Sequence, residues 1–287
     1  MNRRDLIRQI SLAALPVAAQ SVPAAETKPR LKTSICAYSY REQLQSGSMK
    51  YDDVIRLAAD LGVDGAELTT YWFPDTSDSF LFPLRRFAYR QAVDIHGIGI
   101  RTNMCRPTPE LQAAEAANVQ QWITVAEKLG ARYVRVFGGR VPKDATEDQA
   151  VGWAVETLRR CAGIAAERGM ILGIEDDGGI TLTAARVVEM VRKVDSPWLG
   201  INLDVGNFRD NAYRQIEICL PYAVNVHFKP EVMEGGKRQP ADWERLVRMF
   251  APVYRGYLSL EYEHTENALT AVPPLIAKLQ HILRSPA

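Results

Sequence analysis

Cysteine is scarce in this chain: four in 287 residues, with no Cys-x-x-Cys pair, which excludes a zinc ribbon and a disulfide-stapled miniprotein. Neither sign of charge dominates. The 35 Lys+Arg against 34 Asp+Glu leave a net charge of +1, too little for the basic footprint of a nucleic-acid binder. No later segment approaches the roughly 18 uninterrupted apolar residues of a membrane span, so no stable membrane insertion is expected. Pro/Ser-rich linkers and low-complexity blocks are also missing, which argues for one domain. What is present is a 47% hydrophobic, 24% charged composition, ample for a large buried core and incompatible with disorder.

The first residues read as an export signal. Residues 2–9 (NRRDLIRQ) are basic, Ile10 to Ala19 are mostly apolar, and small residues run on to Ala25. A basic start, a short apolar middle and an Ala-x-Ala-like end describe a secretory signal, and adjacent Arg3 and Arg4 suggest the twin-arginine route. Residues 1–25 are therefore expected to be a twin-arginine-type signal peptide, and the protein to be periplasmic or otherwise exported. The signal's surplus of two positive charges (Arg3, Arg4 and Arg8 against Asp5) takes the mature chain from +1 to −1.

From residue 31 onward the pattern alternates. Strand-like runs fall at 33–38, 64–69, 98–104, 132–137, 170–175, 199–204, 223–228 and 257–262. Helix-period segments lie between them: Tyr51 to Leu61, Gln120 to Leu129, Val151 to Ala166, Thr183 to Val194 and Leu269 to Leu283. Gly62, Gly130, Gly169 and Gly256 stand where helix-ending glycines are expected. The eight units predict an α/β fold, a single-domain (β/α)8 TIM barrel over 31–285. A doubly wound sheet is the alternative, but no Gly-x-Gly-x-x-Gly turn follows the first run.

Alternate residues of a barrel strand face the axis. In AVNVHFK, Val224, Val226 and Phe228 oppose Asn225, His227 and Lys229; in GINLD, Ile201 and Leu203 oppose Asn202 and Asp204. In YLSLEYE, Leu258 and Leu260 oppose Ser259 and Glu261; in MILGIE, Leu172 and Ile174 oppose Glu175. The apolar sets must pack on helices, so the polar sets face inward. Glu175, Asp204, His227 and Glu261 then converge at the C-terminal ends of four consecutive strands, where barrel active sites form. Three carboxylates around one imidazole repel unless protons or a cation neutralise them. One divalent metal ion resolves the conflict. The oxygen-rich set suits Mn²⁺, Mg²⁺ or Co²⁺, with Zn²⁺ also compatible.

The segments ILGIEDD, INLDVGN, VNVHFKP and YLSLEYE, around those same four residues, make the sequence resemble the xylose-isomerase-like TIM barrel family. That sugar isomerase/epimerase superfamily includes ketose 3-epimerases, inosose dehydratases and endonuclease IV. The resemblance implies that Glu175, Asp204, His227 and Glu261 bind the metal, and that Glu175 and Glu261 exchange protons with the substrate. The expected activity is a metal-dependent sugar isomerase or epimerase working through an enediolate on a free sugar or keto-sugar. The alternatives are a lyase or dehydratase of the same fold, acting on a keto-inositol or a 3-keto-glycoside, and a non-catalytic binding module.

Further candidates surround this set. Lys229 is a catalytic candidate as an electrophile or oxyanion partner, or else a solvated rim lysine. Glu67, Asn103, Arg106, Asn207 and Trp72 are substrate-binding candidates, with pairing to Arg101 or Arg135 the alternative for Glu67. Tyr38, Tyr71 and Phe73 can join Trp72 in an apolar wall. The four cysteines read as ordinary buried thiols, and a homo-oligomer is compatible with the sequence. Departures from the family lie around the substrate: Asn207 stands where several epimerases carry His, Pro230 follows Lys229 where many relatives have Asp, and EVMEGGKRQPADW replaces an acidic Gly-rich loop. The extra His ligands and basic groove of the endonuclease branch are lacking, so no nucleic-acid partner is expected.

Overall fold

A computed structural model describes residues 30–285. The expected signal peptide lies outside the described residues. Eight parallel strands close a barrel: β1 (Leu31–Cys36), β2 (Gly65–Thr69), β3 (Asp94–Gly99), β4 (Tyr133–Phe137), β5 (Ile171–Glu175), β6 (Leu199–Asp204), β7 (Ala223–Phe228) and β10 (Gly256–Leu260). A separate antiparallel hairpin, β8 (Glu231–Glu234) and β9 (Lys237–Pro240), is inserted after β7. The helical shell holds α1 (Arg41–Ser46), α2 (Tyr51–Asp60), α3 (Asp78–Arg90), α4 (Pro109–Leu129), α5 (Glu147–Glu167), α6 (Ala184–Val194), α7 (Ala212–Cys219), α8 (Trp243–Phe250) and α9 (Ala268–Arg284).

Local chemistry sets the helix boundaries. Thr108 accepts from the Leu111 amide ahead of Pro109, and Thr146 forms a reciprocal capping box with Gln149. Asp242 accepts from the Arg245 amide at the start of α8. Leu260 and Phe228 are fully buried, and Phe228 packs edge-on against Trp243 and Phe250 of α8, so the apolar parity faces the helices. Burying one such ring is worth about 1.5–3 kcal/mol. The polar parity is inside, where Asn225 donates to Asn202 Oδ1 at 2.7 Å and Tyr133 donates to the same oxygen at 2.8 Å.

Three expectations shift. The third strand is Asp94–Gly99 rather than 98–104, because Asp94 is anchored at the barrel's N-terminal end by Lys32 and Tyr257 and the chain leaves the sheet after Gly99. Gly256 opens β10 instead of ending a helix. The segment after Pro230 is a hairpin whose two-residue turn, Gly235–Gly236, has φ of +58° and +71°, the twist that suits tight hairpins.

Candidate metal centre

The C-terminal ends of four neighbouring strands bring the converging residues together. Asp204 pairs with His227 across β6 and β7, Ser259 pairs with His227 across β10 and β7, and Glu261 follows immediately after β10. Around the imidazole, Nδ1 lies 3.1 Å from Glu175 Oε1, 3.3 Å from Glu261 Oε2 and 3.8 Å from Asp204 Oδ2. All four side chains are buried, and one ligand atom from each lies within 4.8 Å of the others.

Two buried cations share the cluster. Arg135 Nε sits 2.9 Å from Glu175 Oε2, and Lys229 Nζ lies 3.1 Å from Asp204 Oδ2 and 3.2 Å from Glu261 Oε2, with Glu263 as its third partner. Close approach is what admits both. A Cβ on Gly99 would come within 2.8 Å of the Arg135 guanidinium, and one on Gly206 within 2.8 Å of Lys229 Cδ. Trp243 Nε1 donates to the Lys229 carbonyl at 3.0 Å and fixes the backbone there.

Burial and these neighbours divide the protons unevenly. Burial alone would lower the pKa of His227, but the Glu261, Glu67 and Glu175 carboxylates raise it well above its ordinary value. Lys229 is raised in the same way, against burial, by Asp204, Glu261 and Glu263. Glu261 is held well below the carboxylate range by His227 and Lys229 in spite of burial. Asp204 goes the other way: burial pushes it up to about 8 against the pull of Lys229. Its neighbour Asp176, whose Oδ1 accepts the Asp204 amide at 2.8 Å, is also raised, chiefly by burial and then by Asp204.

The donor set fits a divalent ion. Asp204 Oδ2 and Glu175 Oε2 are buried without an aligned hydrogen bond, although Lys229 and Arg135 lie within ion-pair distance of them. Such uncompensated oxygens beside an imidazole nitrogen are what an oxygen-preferring or borderline metal ligates. Ligands about 2.0–2.3 Å from an ion would span no more than the separations found here.

The other candidates fall into different places. Lys229 is in the cluster, not on a solvated rim. Glu67 does not reach the mouth and pairs with neither Arg101 nor Arg135. It is 1% exposed, and its carboxylate lies 3.1 Å from His227 Nε2 while accepting from Asn225 at 2.8 Å. Its inward parity on β2 points it at the imidazole, so its expected substrate contact is replaced by an orienting one. Arg106 is also shifted from its expected role: Glu115 of α4 takes its guanidinium at 2.9 Å. Trp72 is half-buried, stacked on Tyr38 at 5.9 Å and edge-on to Tyr71, whose hydroxyl accepts from Arg135. Asn103 lies after β3 in a cleft of about 280 Å³ shared with Thr102, Asp177 and Thr181. Asn207 is half-buried in the turn after β6.

Arg135 and Cys36 were not among the expected site residues. Both are inward by the alternation that exposed the others: Val134 and Val136 flank Arg135, and Ile35 separates Ser34 from Cys36. Cys36 is not in an apolar setting, because its Sγ donates to Glu261 Oε1 at 3.3 Å.

The family model for the Xylose isomerase-like TIM barrel matches residues 55–284, and the chain belongs to that family. Among solved structures, a D-psicose 3-epimerase with D-tagatose from Clostridium cellulolyticum H10 superposes with a TM-score of 0.69 at 18% identity, covering 88% of this chain and 96% of that one. The probable 3-DHS dehydratase AsbF, involved in petrobactin synthesis in Bacillus anthracis, gives 0.66 at 17% identity, covering 89% and 100%. A xylose isomerase domain protein from Alicyclobacillus acidocaldarius gives 0.67 at 16% identity, covering 89% and 100%. At these identities the likeness is one of fold. No curated protein matches the sequence. No helix among the described residues is long and apolar enough to cross a membrane.

Proposed function

We propose that this protein is an exported, divalent-metal-dependent isomerase or epimerase of a free sugar or keto-sugar, with Glu175 and Glu261 as its acid–base pair. The observation that carries this reading is their placement. Both are buried within 3.3 Å of His227 Nδ1, and they come from the two ends of the four-strand arc β5–β6–β7–β10. Two carboxylates so disposed can address opposite faces of a ring held between them, and a stereocentre is inverted by removing a proton from one face and returning it on the other. The fold-level likeness to a D-psicose 3-epimerase agrees with that reading.

Glu175, Asp204, His227 and Glu261 would hold the metal, and its bound charge would stabilise an enediolate oxygen next to the reacting carbon. The protein's own groups do the rest. Arg135 holds the Glu175 carboxylate in place from 2.9 Å, and Glu67 fixes the ring of His227 from behind. Lys229, between Asp204 and Glu261, offers a cation to substrate oxygen. Tyr38, Tyr71 and Trp72 give an apolar wall on the β1–β2 side of the mouth. Export, by the N-terminal signal pattern, favours unphosphorylated substrates.

A lyase reading is supported by the comparable fold match to a dehydratase, since elimination needs one base where epimerisation needs two. Incubating metal-loaded protein with a panel of free sugars and 3-keto-glycosides in D₂O separates them by NMR. Deuterium at a stereocentre of an otherwise unchanged sugar is expected; an unsaturated product replaces this reading with the lyase. Glu175→Gln and Glu261→Gln are each expected to lower turnover by about 10²- to 10⁴-fold. Full turnover in either variant refutes the pair.

A further inference from the structure

A cavity of about 660 Å³ lies at the N-terminal mouth of the barrel, opposite the metal centre, and the function proposed above does not use it. Its size falls within the roughly 300–1,000 Å³ of small-molecule sites. Its rim is basic. Arg85 of α3, Arg132 just before β4 and Arg255 just before β10 stand on the wall against one acid, Asp94. Asp94 is already held by Lys32 at 3.3 Å and by the Tyr257 hydroxyl at 2.7 Å. None of the three guanidiniums pairs with a carboxylate among the described residues; Arg85 and Arg255 donate only to backbone carbonyls.

The floor gives a second, independent observation. Tyr133 and Asn225 point inward from β4 and β7 onto the cavity and are 6% and 2% exposed. The Tyr133 hydroxyl is spent on Asn202. Both hydrogens of the Asn225 amide are spent as well: Nδ2 donates to Glu67 Oε2 at 2.8 Å and to Asn202 Oδ1 at 2.7 Å. An ionised carboxylate only accepts, so the amide nitrogen must face Glu67, and Asn225 Oδ1 is left as a buried acceptor with no partner among the described residues. The rest of the wall is largely apolar, with Val93, Ile95, Ile171 and Val224.

We propose that this mouth is a second binding site, for a small organic acid: its carboxylate meets the arginines, its apolar body lies along the wall, and a hydroxyl at its far end donates to Asn225 Oδ1. Guanidinium and carboxylate match in plane and charge, which makes an arginine rim selective for such a head group. An inorganic anion would satisfy the rim alone and leave the apolar wall and the Asn225 oxygen unused. A neutral ligand would leave the guanidiniums without a countercharge. The cavity wall includes none of Glu175, Asp204, His227 and Glu261, so the site stands or falls independently of the metal centre.

The probe is 6-hydroxy-2-naphthoate, titrated calorimetrically into the full-length protein. One-to-one binding is expected. Two relatives of the probe read the two ends of the site: 2-naphthoate, which lacks the hydroxyl, and neutral 6-hydroxymethyl-2-naphthol should each bind about 10-fold more weakly. The double variant Arg132→Gln/Arg255→Gln, both positions exposed, should lose about 10-fold in affinity for the naphthoate with an unchanged melting temperature. Arg101→Gln, exposed at the opposite mouth, should leave that affinity as it is. Absence of saturable binding, or an affinity for the neutral analogue equal to that for the acid, would overturn the proposal. Sulfate binding as tightly as the naphthoates would mean an adventitious ion only, and would overturn it too. Equal binding of the two naphthoates would remove the Asn225 contact and with it the floor of the site. A loss in Arg101→Gln with none in the double variant would place the acid at the other mouth and refute the assignment.

Discussion

The two ends of the barrel axis differ more than any two other parts of the molecule. At the C-terminal end, Glu175, Asp204, Glu261, His227, Arg135 and Lys229 crowd into a buried, charge-rich cluster. At the N-terminal end the axis is filled by neutral groups. Ser34 bonds His96 Nε2 at 2.8 Å, Ser259 donates to Ser34, and His96 stacks on Tyr257 with ring centroids 3.9 Å apart. A cavity of about 660 Å³ opens at this end, lined by His96, Tyr133, Asn225 and Tyr257, with Arg85, Asp94, Arg132 and Arg255 also on its wall. The larger space is thus at the end away from the buried acidic cluster. Volume alone points to that mouth; the other end is marked instead by buried charge, the feature that clusters at functional sites.

The sharpest way to test that contrast is to remove a charge from the crowded end. Lys229→Met should destabilise the metal-free protein by about 3–5 kcal/mol, because Asp204, Glu261 and Glu263 lose their shared cation. Chemical denaturation measures it, and saturating metal should restore much of the loss. Glu67→Gln comes next. It keeps the hydrogen bond from Asn225 but loses the charge behind His227, and should weaken metal affinity about 10- to 100-fold with a smaller effect on stability. Isothermal titration separates the two.

At the neutral end the effects should be pH-dependent and small. Burial pushes His96 down to about 4 from the 6.5 of an unfolded histidine. The unfolded chain then takes up a proton first, so the stability this group confers is complete above pH 6.5 and is lost as pH falls through the window to about 4. His96→Gln should flatten that acid limb in urea denaturation at pH 7 and pH 5, leaving metal affinity as it is. Smallest of all is Lys32→Ala. The Lys32–Asp94 pair is 3.3 Å long and half-exposed on both sides, so its removal should cost less than about 1 kcal/mol. If Lys32 proved as costly as Lys229, the contrast between the ends would be wrong.

Most of the barrel and the four converging residues were legible in the sequence, because strands β5, β6, β7 and β10 alternate cleanly between apolar and polar positions. The same rule applied to β4 and β1 places Arg135 and Cys36 inside, but a basic residue and a lone thiol do not announce a metal-binding strand end as a carboxylate does. Glu67 stands at the end of β2, but its carboxylate is taken up by His227 and Asn225 inside the barrel, contacts across the axis that the sequence of β2 alone does not reveal. Arg106 misled for another reason. Its partner Glu115 lies nine residues on, in α4, and only the packed loop brings the two together. The hairpin was hidden because its strands are only four residues long and β9 is exposed, with glycines at the turn as the main signal.

The hairpin is attached to the barrel through a closed neck. It leaves the barrel at Pro230 and returns at Ala241, where the Ala241 amide donates to the Pro230 carbonyl at 2.9 Å. The backbone just before it is locked by Trp243 to Lys229, and the helix just after it is capped by Asp242. An insert whose two ends are stitched together behaves as a replaceable cassette. Its length and sequence can drift without moving Lys229 and His227 just upstream of it.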